Sequence, residues 1–133
     1  MKKSFCLFAI AALVLCTGMA WAAAARNYTV VDLGVSNGIA HDISDPGEVA
    51  GVGSFGNGNR GFLWISGIAT ALPDLSSECS GSCSEARAIN PARDIAGIAA
   101  TNCGTLHAVV WHDSSAPTDL GTLTGQCFTY SAA

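Results

Sequence analysis

Any chemistry this chain performs would have to come from a few short constellations of residues. Gly51-Val52-Gly53-Ser54-Phe55-Gly56 has the G-x-G-x-x-G spacing that lets a backbone approach a pyrophosphate. That motif works only where a strand passes into a helix, and no helical period follows it here. The matching stretch Gly97-Ile98-Ala99-Ala100-Thr101-Asn102 keeps one glycine of the three. Asp42, Asp45 and Glu48 carry oxygens that suit calcium, but their spacing fits no calcium loop and turn or capping roles account for them. His107 and His112 stand five apart on one strand, hence on opposite faces, and do not share a metal; His41 lies in another unit. Cys79-Ser80-Gly81-Ser82-Cys83 could be half of a zinc site, yet no second close pair of Cys or His follows. A serine hydrolase of the strained-turn kind would need G-x-S-x-G, which does not occur. Trp64 and Trp111 could stack on a sugar, but their matched places in a repeat make them core. The reading is therefore of no catalytic, cofactor-binding or metal-binding residue, with the loop Ser54 to Arg60 as the most exposed surface for a ligand of unknown kind.

The elements that would position these groups are written twice. Asp42-Ile43-Ser44-Asp45-Pro46-Gly47-Glu48-Val49-Ala50-Gly51 returns as Ala88-Ile89-Asn90-Pro91-Ala92-Arg93-Asp94-Ile95-Ala96-Gly97, and Gly61-Phe62-Leu63-Trp64 returns as Ala108-Val109-Val110-Trp111. The spacing is 46 from Gly51 to Gly97, 47 from Trp64 to Trp111, 42 from Asp32 to Asp74 and 45 from Asp74 to Asp119. A period of about 40 to 50 residues made of short strands points to a propeller or array. Strands are expected at Asn27 to Leu33, Gly38 to Ile43, Glu48 to Gly53, Gly61 to Ile65, Ile68 to Leu72, Ser84 to Ile89, Asp94 to Ala99, His107 to Trp111 and Thr118 to Leu120. Each is bounded by the Gly, Pro, Asn, Asp and Ser residues that supply turn geometry. The expected fold is all-β: an antiparallel repeat of blade-like four-stranded sheets, part of a β-propeller-like array. Its units run about 34–75 and 76–120, with a partial third over 121–133, and its repeat core is Ile43, Val49, Phe62, Trp64, Ile89, Ile95, Val109 and Trp111.

The first 22 residues read as an export signal. Lys2 and Lys3 supply the positive start, Phe5 to Leu15 an apolar run too short to cross a bilayer, and Ala20-Trp21-Ala22 a small-x-small cleavage site. Cleavage after Ala22 leaves residues 23–133 as the β-repeat domain, whose four arginines against ten acids give a net charge of −6. That charge argues against nucleic acid or an anionic membrane as a partner, since both need clustered cations, and neither nucleic acid nor a stable membrane span is expected. Four cysteines remain, Cys79, Cys83, Cys103 and Cys127, an even number that in an exported chain reads as disulfides, with the three pairings open.

The motifs together resemble the HAF family of probable extracellular repeat proteins in bacteria. That family's unit runs D-L-G-T-L-x-G, then S-x-A-x-x-I-N-x-x-G-x-x-x-G, then A-F-x-W-x-x-G. The first element stands here as Asp119-Leu120-Gly121-Thr122-Leu123-Thr124-Gly125 and, more loosely, as Asp32-Leu33-Gly34. The second stands as Ser84 to Gly97 and the third as Gly61-Phe62-Leu63-Trp64-Ile65-Ser66-Gly67. Ser44 replaces the usual Asn, and Arg93 the turn glycine. The resemblance implies export and a repeated sheet, and it transfers no catalytic residue. Two units leave sheet faces uncovered, so a truncated gene product or self-association through the open faces is expected. The function expected is that of an exported, non-catalytic scaffold or binding module; the alternative is a fragment of a propeller-type periplasmic or extracellular enzyme.

Overall fold

The computed structural model describes residues 27–56, 58–77 and 79–122. Two compact units divide the chain at residue 31. Of the first, only residues 27–31 are described, and they carry no strand. The strand expected over Asn27 to Leu33 therefore does not form: a closing strand needs a third strand ahead of it to pair with, and none is among the described residues. The segment 1–22 expected to be an export signal, most of the expected partial third unit and Cys127 lie outside the described residues.

The second unit is all-β, with no helix among its described residues. Alternating apolar residues broken by turn residues make short half-buried strands, and consecutive strands pair antiparallel. The first sheet is formed by β1 (Ile39–Ile43), β2 (Val49–Phe55), β3 (Gly58–Ile65) and β4 (Ile68–Ala71), in that order. Next comes β5 (Gly81–Ser82), which sequence reading missed; it lies parallel to Gly58 and Asn59 on β3. The second sheet is β6 (Ser84–Ile89), β7 (Asp94–Ala100), β8 (Leu106–His112) and β9 (Thr118–Asp119), again in chain order.

The two sheets correspond in detail. The first hairpin of each closes with the same pair of backbone bonds: Gly47 N–H to Ser44 O at 2.8 Å and Ser44 N–H to Glu48 O at 2.9 Å, then Arg93 N–H to Asn90 O at 3.0 Å and Asn90 N–H to Asp94 O at 3.1 Å. The last turn residue is left-handed in both, Gly47 at φ 86° and Arg93 at φ 64°. Only the glycine takes that conformation without a steric cost, so Arg93 must be held there by something else. Both first strands carry a register shift, between Ala40 and Asp42 and between Ala86 and Ala88.

One expectation moves. Asp74 does not occupy the place of Asp119, because Ala71 pairs with Phe62 whereas Asp119 pairs with Val109. The likeness of the two Asp-Leu pairs is local, while register follows the ladder. Asp32 and Asp119 do share a conformation: each carboxylate accepts the N–H of the glycine two residues on, Gly34 at 2.9 Å and Gly121 at 2.7 Å.

The core lies between the sheets. Ala50, Leu63 and Leu72 of the first meet Ala86, Ile89, Ile95, Ala99, Val109 and Trp111 of the second. Of the expected repeat core, Val49, Phe62, Ile89, Ile95, Val109 and Trp111 are buried. Ile43 is not: it is 64% exposed, against 8% for its counterpart Ile89. Trp64 is half-buried while Trp111 is fully enclosed. The difference is the neighbour: Ile89 and Trp111 have the first sheet packed over them, and no sheet among the described residues covers Ile43 and Trp64 in that way.

Candidate functional site

The residues that could do chemistry are placed by the joint between the sheets and by the loop that crosses it. At the hairpin end, Glu48 is buried and its Oε1 accepts a hydrogen bond from Arg93 Nε at 2.7 Å. This ion pair joins one sheet's turn to the other's and holds the left-handed Arg93; hydrogen bonding to Glu48 raises the guanidinium pKa above its already high ordinary value. The Asp42 carboxylate accepts the N–H groups of Ile43 and, across the joint, of Ile89, each at 2.9 Å. Asp42 and Glu48 therefore serve the joint.

At the opposite side of the joint, Arg60 Nε stands 2.9 Å from Asp74 Oδ2, an ion pair in which the N–H is not aligned for a hydrogen bond. The second Asp74 oxygen accepts a hydrogen bond from Ser84 Oγ at 2.8 Å, and Ser84 Oγ accepts Gly61 N–H at 3.1 Å. Trp111 Nε1 donates to Pro73 O at 2.8 Å. Asp74 and Ser84 were missed by sequence reading as cross-sheet groups. Their only local sign was that polar residues flank the linker between the two sheets.

The three histidines stay apart, each against a carboxylate: His41 with Glu85 at 3.0 Å, His107 with Asp119 at 3.0 Å and His112 with Asp94 at 2.6 Å. Among the described residues no three His, Cys, Asp or Glu side chains gather to hold a metal. The Asn90 amide, and after it His112, hold the Asp94 carboxyl below its ordinary range. A carboxylate with a lowered folded pKa stabilises the fold above its unfolded value of about 3.9 and loses that contribution as pH falls through the folded value. Asp94→Asn is therefore expected to shallow the acid limb of a stability-against-pH curve below about pH 4 and to leave the neutral region less stable. An acid limb unchanged by the substitution would contradict the assignment.

Gly51 and Gly53 of the phosphate-like motif lie inside β2, not at the mouth of a helix. A Cβ on Gly51 would run into the Ile39 carbonyl oxygen, and one on Gly97 into that of Glu85. These glycines let neighbouring strands close beside the register shift, which excludes a pyrophosphate role. The loop expected over Ser54 to Arg60 is also corrected. Phe55 pairs with Gly58 and leaves a two-residue turn, opened by Gly56 at φ 61°. Turns this short with a left-handed first residue match the twist of a hairpin, so the described part of the segment is strand ladder rather than flexible loop.

Cys79 and Cys83 form a disulfide with Cα atoms 5.6 Å apart. Cys103 is disulfide-bonded as well. The Cys83 backbone spans the joint: its N–H reaches Asn59 O on the first sheet at 2.8 Å, and its carbonyl accepts Ala100 N–H on the second at 2.7 Å. Beside it opens a cleft of about 320 Å³, lined by Ser76, Ser80, Ser82, Thr101 and Asn102 among others. Its polar side chains are hydroxyls and one amide, groups that donate and accept hydrogen bonds without carrying charge. The turn on its far side is closed by Thr101 N–H to Thr105 O at 2.8 Å and Gly104 N–H to Thr101 O at 2.9 Å.

No family model, curated protein or solved structure matches the chain. Among the described residues no helix is long and apolar enough to cross a membrane.

Proposed function

We propose that this chain is an exported β-repeat protein of the HAF kind, built of propeller-like units, that works without catalysis as a scaffold or binding module. The observation that carries the reading is where the ionisable side chains are spent. Glu48, Arg93, Asp42, Asp74 and Arg60 are committed to the joint, and His41, His107 and His112 each face one carboxylate. The disulfide is in keeping with an oxidising compartment, and with the sequence signal for export.

The binding surface is the cleft beside the disulfide loop. Its hydroxyl and amide lining suits a neutral ligand rich in hydrogen-bonding groups, such as a sugar chain, better than an ion. Saturation-transfer NMR of the protein with a panel of neutral oligosaccharides tests this. Transfer to at least one sugar, lost in Asn102→Ala, is expected. No transfer from any of them, or turnover of chromogenic ester, phosphate or glycoside substrates by the purified protein, would overturn the reading.

A further inference from the structure

The joint between the two sheets is a template that each sheet could use once more. One side of the first sheet, carrying Ala50, Leu63 and Leu72, receives the side of the second that carries Ile89, Ile95 and Trp111. By register, the residues of the second sheet that stand where Ala50, Leu63 and Leu72 stand in the first are Ala96, Val110 and Leu120. The first three are buried, with Leu72 at 1% exposure; Ala96 and Val110 are only half-buried and Leu120 is 57% exposed. On the opposite side of the first sheet, Ile43, Val49 and Trp64 stand where Ile89, Ile95 and Trp111 stand in the second. Among the described residues no sheet covers the Ile43 side of the first sheet or the Leu120 side of the second, and Ile43 and Leu120 are exposed there.

We infer that the face of the first sheet bearing Ile43 and Trp64 docks onto the Ala96, Val110 and Leu120 face of a second copy of this chain, with the exposed Ile43 and Leu120 in the contact. The occupant is another copy because the complementary face, with matching side chains, belongs to this same chain. The proposal stands on the internal joint and not on the function proposed above. Polar links of the internal joint do not recur: Gly47 replaces Arg93, Ala88 replaces Asp42 and Gly38 replaces Ser84 at the corresponding places. The contact between copies is therefore weaker than the internal one. Because it joins unlike faces, it is heterologous and leaves a free face of each kind to extend the assembly.

Sedimentation velocity on the full chain across a concentration series tests this, with Ile43→Asp and Leu120→Asp as variants. Both side chains are exposed in one copy, so each variant should keep the wild-type circular dichroism and melting transition. Wild type should sediment as more than one chain and each variant as a monomer. An equal mixture of the two variants should form a discrete pair, since one sound joint survives between them. A wild type that is monomeric throughout, a variant that still assembles, or a mixture that stays monomeric would overturn the proposal.

Discussion

Trp111→Ala is expected to lower the free energy of unfolding by about 3–5 kcal/mol, the range for deleting a fully enclosed aromatic side chain. Trp111 is completely buried at the joint, packed among Ile95, Val109 and Leu63, and its Nε1 serves the Pro73 carbonyl. Its removal opens a cavity too large for the strands to close and strips the carbonyl of its donor. Two controls separate these effects. Trp111→Phe keeps most of the volume and loses the hydrogen bond, so its cost should be near the roughly 1–3 kcal/mol of an unsatisfied buried polar group. Trp64→Ala makes the same chemical change at the corresponding strand position, where the side chain is half-buried and its N–H has no partner to lose. Its loss should be clearly smaller. Urea unfolding followed by circular dichroism measures all three, and equal losses for Trp64→Ala and Trp111→Ala would show that the two sheets are covered alike.

Gly97→Ala should rank second, at about 2–3 kcal/mol, the upper part of the range for forcing extra atoms into a packed site. The added Cβ would overlap the Glu85 carbonyl oxygen of the neighbouring strand and stand 3.0 Å from the Trp111 ring. Neither can step aside without moving backbone or the best-packed side chain of the joint. Gly104→Ala is the control. Gly104 has a left-handed φ of 74°, and a methyl group there would meet nothing within 4 Å, so its cost is that of the conformation alone, about 1 kcal/mol. If the two substitutions cost the same, close approach is not the reason for glycine at position 97. Gly51, with Ile39 O and the Phe62 ring in the same positions, should behave as Gly97 does.

Much of the strand layout was legible because it is local. Pro, Gly, Asn and Asp bracket each apolar run, and the expected bounds Ser84 to Ile89 and Asp94 to Ala99 match the observed β6 and β7 closely. Where reading failed, a neighbour decided the matter. The segment from Ser54 to Arg60 has loop composition, but glycine is also what a tight hairpin needs. Asp74 and Asp119 look alike in sequence, yet Asp74 is drawn past the end of its strand to meet Arg60 and Ser84. The cleft was not legible, since its walls, residues 76–82 and 100–104, come from opposite ends of β6 and β7 and meet only when those strands pair.

The sequence by itself determined where most of the strands lie, that the first hairpins of the two sheets share a turn, and that Gly51 and Gly97 hold matching places in the repeat. These follow from side-chain period and backbone conformation, which a chain carries in its nearest residues. Only the tertiary structure decided that Cys79 pairs with Cys83, that Glu48 meets Arg93 and Asp42 meets Ile89, and that Ile89 is core while Ile43 is exposed. The physical reason is that burial and pairing belong to two surfaces at once: similar strands with similar residues differ in what covers them, and that cover comes from far along the chain.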